Sequence, residues 1–271
     1  MSSQKSALIN VMCGAAQKAA RKLVRDFGEV EHLQVSKKGP ADFVSNADFA
    51  AEKTLKEELS KARPKFGFLL EEGGSVVGSD TSNRWIVDPL DGTTNFLHGI
   101  PHFAISIGLE RDNDLLAGVI YEPVHDEMFW AEKGQGAYLN GRRLRVSGRA
   151  RMEDSLFATG IPFKGRNDHE PFLRQLEAVM AVSSGVRRFG SAALDLAYLA
   201  AGRYDGFWEM GLSPWDMAAG IVLVREAGGF VTDLEGGKKI METGNILAAN
   251  DLLHGPLLKL LSAVPDAEKK P

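Results

Sequence analysis

One cysteine, Cys13, is the only thiol in this 271-residue chain. That excludes an intramolecular disulfide and any multi-thiolate metal centre, and it fits a reducing compartment. Cys13 lies in an apolar helical pattern, where core packing is its natural role. No run approaches the roughly 18 apolar residues of a membrane span. The start, MSSQKSALIN, lacks the charged head and apolar block of a secretory signal. Neither charge sign dominates: 32 Lys and Arg face 36 Asp and Glu, a net charge of −4, so there is no global electrostatic case for nucleic acid. A soluble cytoplasmic protein with no membrane partner is expected.

Several catalytic signatures are also missing. Six histidines, at 32, 98, 102, 125, 169 and 254, form no His-Glu-x-x-His pair. No Gly-x-x-x-x-Gly-Lys-Ser/Thr phosphate loop and no Gly-x-Ser-x-Gly nucleophile elbow occur. GQGAYL carries Gly134 and Gly136 without the third glycine of a dinucleotide fingerprint, and reads as a turn.

What is present is a well-patterned globular chain, 44% hydrophobic and 25% charged. Residues 4–27 set Leu8, Val11, Met12, Ala15, Ala19, Leu23 and Phe27 at helical spacing, with Gly28 as the stop. A second helix is expected over 45–62, then a strand, KFGFLLEE. Residues 103–146 alternate apolar and polar in FAISIGLE, LLAGVIYEP, EMFWAEKG and RRLRVS, with turn signals at Asp112-Asn113-Asp114 and Asn140-Gly141: an antiparallel meander. Past residue 153 helices and strands alternate, and the tail VPDAEKKP reads as disordered. No Pro- or Gly-rich linker intervenes. The expectation is one compact unit of two halves, 1–150 (α+β, with the meander) and 151–271 (α/β), with the site between them. GRRLRVSGRAR, residues 141–151, holds five arginines. It reads as a solvated edge strand and loop, with a nucleic-acid or acidic-protein patch as the alternative.

The chemistry is concentrated in carboxylates at the ends of elements. WIVDPLDGTTNF runs from a buried strand, Trp85-Ile86-Val87, into Asp88 and Asp91. Pro-x-Asp-Gly is ordinary turn chemistry; a divalent cation between two carboxylates, held by oxygen ligands, is the other reading. FLLEEGG likewise places Glu71 and Glu72 at a strand end, and neighbouring strands would make these acids converge. In SPWDMAAGIVLVREAGG, Ser213 is placed to cap a helix, Pro214 to open it, and Asp216 falls in its first turn. There the acid either complements the helix dipole or joins the others. Gly92-Thr93-Thr94 could offer N–H groups and a hydroxyl to phosphate.

WIVDPLDGTTNFLHGIPHFA and PWDMAAGIVLVREAGG together resemble the paired signatures of the inositol monophosphatase family. LLEEGG, GPADFVSNAD, GQGAYLNG, RRFGSAALDLAYLAAGRYDGFWEMGL and ILAAN extend the likeness over about residues 5–260. The resemblance implies a layered αβαβα sandwich of the inositol monophosphatase and fructose-1,6-bisphosphatase type, Mg²⁺ dependence, lithium sensitivity and a homodimer. It implies metal ligands at Glu71, Asp88, the Leu90 carbonyl, Asp91 and Asp216. Glu71, Thr93 and Asp91 would be catalytic. Asp91, Gly92, Thr93, Gly190, Ser191, Ala192, Glu209 and Asp216 would meet the substrate, and Lys37 and Asp48 would lie near an outer metal. Gly73 departs from the family's more frequent Ser. The implied reaction is hydrolysis of inositol monophosphate by metal-activated water. Alternatives are another phosphate ester (fructose 1,6-bisphosphate, histidinol phosphate or a 3′-phosphoadenosine nucleotide) or an interaction role with the transcription machinery.

Overall fold

Ser6 starts the first helix, α1 (Ala7–Phe27), its Oγ accepting from Ile9 N at 3.1 Å. This is a computed structural model that describes residues 5–28, 35–37, 43–162 and 169–263, giving only the backbone of 35–37 and 43–45. Ile9, Met12, Cys13, Ala16, Ala20 and Leu23 form the buried stripe of α1, at the spacing of one helical face. They pack on α2 (Asn46–Ala62). Between the helices, β1 (Val35–Lys37) and β2 (Phe43–Ser45) pair antiparallel. The expected disordered tail, 264–271, lies outside the described residues.

An eight-stranded sheet follows. Its strands are β3 (Phe66–Leu70), β4 (Gly74–Val76), β5 (Asp80–Asp91), β6 (Ala104–Arg111), β7 (Asp114–Glu122), β8 (Glu127–Glu132), β9 (Gly136–Leu139) and β10 (Arg142–Arg143). Their order is β10-β9-β8-β7-β6-β5-β3-β4, and every pairing is antiparallel except β3 with β5. The meander's turn signals act as expected: Asp112-Asn113 (φ 51° and 64°) and Asn140-Gly141 (φ 46° and 82°) supply the left-handed pairs of tight hairpins. The sheet is buried on both faces. Trp85 and Val87 join the core under α1 and α2, while Ile86 between them joins the core on the opposite side.

The second sheet has five strands, ordered β12-β11-β13-β15-β14. They are β11 (Leu156–Thr159), β12 (Gly185–Arg187), β13 (Gly206–Glu209), β14 (Phe230–Thr232) and β15 (Ile246–Ala249). The first three are parallel; β15 and β14 complete the sheet antiparallel. Helices α5 (Ala192–Ala200) and α6 (Pro214–Glu226) fill the space between the sheets, and α4 (His169–Met180) and α8 (Asp251–Ser262) cover the outer face. Short helices α3 (Thr93–Leu97) and α7 (Ile240–Thr243) complete the set. The order of layers is αβαβα, as the resemblance implies.

The middle helices have no solvent face. Met217 to Val224 of α6 are all buried, so no amphipathic period marks the helix. Beneath it Gly108 and Gly118 sit directly opposite each other on β6 and β7. A Cβ on Gly108 would lie 2.8 Å from the Ala218 Cβ, and one on Gly118 would lie 2.7 Å from the Ala219 Cα. α6 rests on bare backbone there.

Three expectations change. The first helix begins at Ala7 rather than residue 4. The strand in RRLRVS is only Arg142–Arg143; Leu144, 3% exposed, makes a last bond to the Ala137 carbonyl at 2.8 Å. The chain is then drawn off the sheet by Asp205, which accepts from Ser147 Oγ at 2.5 Å and from Arg149 at 3.2 Å. And β12 goes unread in the sequence: three partly exposed residues show no alternation.

Candidate active site

β3 and β5 run parallel, and β3 ends at Leu70, paired to Val87. Glu71 N then donates to the Val87 carbonyl at 3.2 Å. Glu71 therefore comes off the sheet beside Asp88, which still pairs with Ser106 of β6. The ladder from β5 to β6 slips between Asp88 and Asp91. In the slip Asp88 Oδ1 accepts from Leu90 N at 2.9 Å, and Thr93 Oγ1 donates to the Leu90 carbonyl at 2.9 Å. Gly92, at φ 94°, reverses the backbone into α3. Turn chemistry and convergence of acids thus coexist in one segment.

The third acid comes from the other half of the chain. Asp216 lies in the first turn of α6, and its Oδ2 accepts from Ser213 N at 2.7 Å. It both caps the helix and reaches the cluster. Asp88, Asp91 and Asp216 each place a carboxylate oxygen within 4.8 Å of the others. The donors are all hard oxygens, with no histidine or cysteine among them. That set suits a hard divalent cation and not a soft one.

The charges of the group favour a cation beside it. Asp88 is 2% exposed. Burial, then Glu71, Asp91 and Asp216, push its carboxyl well above the usual carboxylate range. Burial raises Asp91 to about 6, against the opposing pull of Ser191, Ala193, Ala192 and Gly92 donors. Glu71 stands beside the three-aspartate group, next after burial in its effect on Asp88. A nearby divalent cation inverts these preferences by favouring every ionised form.

The rim is built from the second half. Gly190 has φ 86° and leads into Ser191, the cap of α5. Ser191 Oγ donates to Asp91 Oδ2 at 2.6 Å, and Ala193 N donates to the same oxygen at 2.8 Å. The segment Gly190-Ser191-Ala192 is thus brought to Asp91. Glu209 ends β13, and Glu209 and Asp91 both bear on Asp195. Asp48 is buried in the first turn of α2, outside the three-aspartate group. The Lys37 side chain lies outside the described residues. At Gly73 a side chain would meet Glu52 Oε1 at 2.9 Å, and Glu52 Oε2 accepts from Glu72 N at 2.8 Å. A side chain at 73 would therefore press on the Glu52 carboxylate.

Two residues of the site escape sequence reasoning. Asn95 Nδ2 donates to the His102 carbonyl at 2.8 Å and to the Phe189 carbonyl at 2.7 Å, clamping α3 to the loop before Ser191. Its only signal is its place in the Asp-Gly-Thr-Thr-Asn run. Asp195 lies one turn beyond Ser191, 1% exposed, its Oδ1 without a hydrogen-bond partner among the described residues. Burial, then Glu209 and Asp91, raise its carboxyl well above the usual range.

Residues 4–266 match the inositol monophosphatase family. An inositol-1-monophosphatase of Mesorhizobium japonicum is 60% identical over 94% of this chain and 96% of its own length. The chain belongs to the inositol monophosphatase family. It is accordingly an enzyme, a hydrolase of phosphate monoesters, with an acidic group of the kind a metal-dependent phosphatase needs. Other members carry a different name. A Nus factor SuhB of Pseudomonas aeruginosa is 45% identical over 93% of this chain and 94% of its own. The crystal structure of the extragenic suppressor protein suhB from Bartonella henselae superposes with a TM-score of 0.92 at 61% identity, covering 94% of this chain and 98% of that one. No helix among the described residues is long and apolar enough to cross a membrane.

Proposed function

We propose that this chain hydrolyses inositol monophosphate to inositol and phosphate, with Mg²⁺ held by Asp88, Asp91, Asp216, Glu71 and the Leu90 carbonyl. The observation that carries the reading is the meeting of three carboxylates from two distant segments within 4.8 Å. Bound there, Mg²⁺ would supply the positive charge that activates water and stabilises the leaving oxygen. The residues do the rest. Thr93 has its proton committed to the Leu90 carbonyl, so its oxygen lone pairs are left to accept from a water. That water is oriented between Thr93 and Glu71. Gly92 and Thr93 hold the phosphate. Gly190, Ser191 and Ala192 line the path of the leaving group, Asp91 and Asp216 contact its hydroxyls, and Glu209 accepts hydrogen bonds from them. Catalysis is then positioning and electrostatics. Lys37 and Asp48 belong to an outer, weaker metal position in this reading.

The two halves, 1–150 and 151–271, act as one unit in this account; Asp88 and Asp91 come from one and Asp216 from the other. A homodimer is supported by the family and by exposed apolar side chains at Ile161, Leu173 and Met180, 45%, 59% and 60% exposed. A cytoplasmic setting is supported by the single buried thiol. The Nus factor name of a relative supports a transcription partner as a second role. Within the arginine-rich stretch, however, Arg149 pairs with Asp205 and Arg151 with Glu153 and Asp154.

The test is phosphate release from a panel of esters with and without Mg²⁺. Inositol 1-phosphate should lead, and only with the metal. A lead by fructose 1,6-bisphosphate, histidinol phosphate or a 3′-phosphoadenosine nucleotide would replace the substrate and keep the site. No release from any ester would overturn the reading.

A further inference from the structure

Gly160 follows β11 directly, and the volume of its absent side chain is taken by another residue. A Cβ built on Gly160 would fall on the Glu209 carboxylate, closer to Oε1, Cδ and Oε2 than real van der Waals contacts permit. Its φ is not in the left-handed region, so the backbone itself would accept any L residue. A side chain at 160 would have to move the Glu209 head out of the place it occupies. The neighbouring residue makes the fit tighter. Thr159 Oγ1 donates to the Trp208 carbonyl at 2.7 Å, within the parallel pairing of Thr159 with Trp208. That bond pins the backbone immediately before Glu209. On the other edge Glu209 itself pairs with Ile246 of β15. The backbone of β13 is therefore held from both sides, so a clash at 160 falls on the Glu209 side chain and turns its carboxylate away.

We propose that Gly160 determines specificity: the recess left by its missing side chain seats the Glu209 carboxylate where it accepts hydroxyl protons from a polyol leaving group. The inference rests on the reading of Glu209 as a leaving-group contact. Gly160 touches no reacting atom and is a positioning residue. It follows β11, an element that carries none of the three aspartates, so its effect falls on substrate choice and not on the metal cluster. An ester whose leaving group has no hydroxyls, such as an aryl phosphate, makes no use of Glu209 and is indifferent to Gly160.

The test uses the full chain with Mg²⁺ and compares myo-inositol 1-phosphate with p-nitrophenyl phosphate. Four proteins are measured: the parent, G160A, E209A and the double variant. G160A should lower kcat/KM for the inositol ester by about 10- to 100-fold, the range of a hydrogen bond to a charged group, and for the aryl ester by no more than about threefold. E209A should show the same split. Adding G160A to E209A should cost nothing further, because the methyl then occupies the vacated space; the melting temperature lost in G160A should return in the double variant. If E209A is selective but G160A lowers both substrates alike, or adds in full to E209A, the proposal is overturned and the Glu209 reading stands. If E209A itself loses both activities equally, the Glu209 reading falls and takes the proposal with it. Should G160A alone not fold, the double variant decides: it folds and matches E209A, or the proposal fails.

Discussion

Ser191 donates its hydroxyl to Asp91 at 2.6 Å across 100 residues of chain. The same oxygen of Ser191 accepts from Leu194 N at 3.3 Å as the cap of α5. One side chain therefore starts a helix and orients a carboxylate of the acidic group.

Ser191→Ala should weaken both functions. Loss of the cap costs about 1 kcal/mol, or roughly 2–4 °C in melting temperature for a chain of this size. Asp91 keeps the Ala193 N–H, so activity should fall by about tenfold and not vanish, in line with loss of a hydrogen bond to a charged group. Turnover measured against Mg²⁺ concentration should show a higher requirement for the metal. An unchanged Mg²⁺ requirement would sink the assignment of Ser191 as a support for Asp91.

Asp91→Asn should leave the fold intact and abolish turnover. Without metal, the variant should melt at a higher temperature than the parent, since one of the charges acting on Asp88 is gone. Added Mg²⁺ should raise the melting temperature of the parent much more than that of the variant. Calorimetry in EDTA and in Mg²⁺ checks both halves; near-normal turnover in the variant would remove Asp91 from the site.

The metal-free protein should lose stability as pH rises from about 4 to 6. The folded pKa of Asp91, about 6, lies above its ordinary value of 3.8. The folded state thus holds the proton more tightly than the unfolded state, and the stability linked to it is lost as pH rises through the folded pKa. Urea unfolding in EDTA across that window should give a falling curve that saturating Mg²⁺ flattens. A rise over the same interval in metal-free protein, persisting in Asp91→Asn, would contradict a raised Asp91 carboxyl in the folded state.

Lithium should inhibit turnover beyond matched sodium or potassium. The family relation motivates this, and the donor set is consistent with it: an all-oxygen cage admits a small monovalent ion but receives half the charge. Rates at constant ionic strength in lithium and sodium are the measurement, and equal rates would argue against a lithium-accessible position.

Much of this arrangement was legible because strong local signals lay close together. Trp85-Ile86-Val87 marked a strand, and that strand runs on through Asp88 to end at Asp91. The meander announced itself through alternation and through Asp112-Asn113 and Asn140-Gly141. The convergence itself was less legible. Parallel pairing of β3 with β5 is a long-range choice that no local pattern encodes, and Asp216 looks like any acid in a first helical turn. Asn95 carried no side-chain partner to find, since it donates to the carbonyls of His102 and Phe189, backbone atoms that any sequence would supply. Asp195 hid in the apolar run of a helix buried on every side. Gly160 carried no signal at all, since its role is the space it leaves.

The glycine pair under α6 has a consequence for the acidic group. Asp216 rides on the first turn of α6, while Asp88 and Asp91 end a strand of the sheet below. The height of that helix above the sheet is fixed where Gly108 and Gly118 meet Ala218 and Ala219. The gap the carboxylates span is therefore a gauge set by packing, not by the acids. A methyl at either glycine would shim the helix upward and open that gap without altering a single donor atom. The spacing of the three carboxylates thus depends on two glycines that carry no side chain at all.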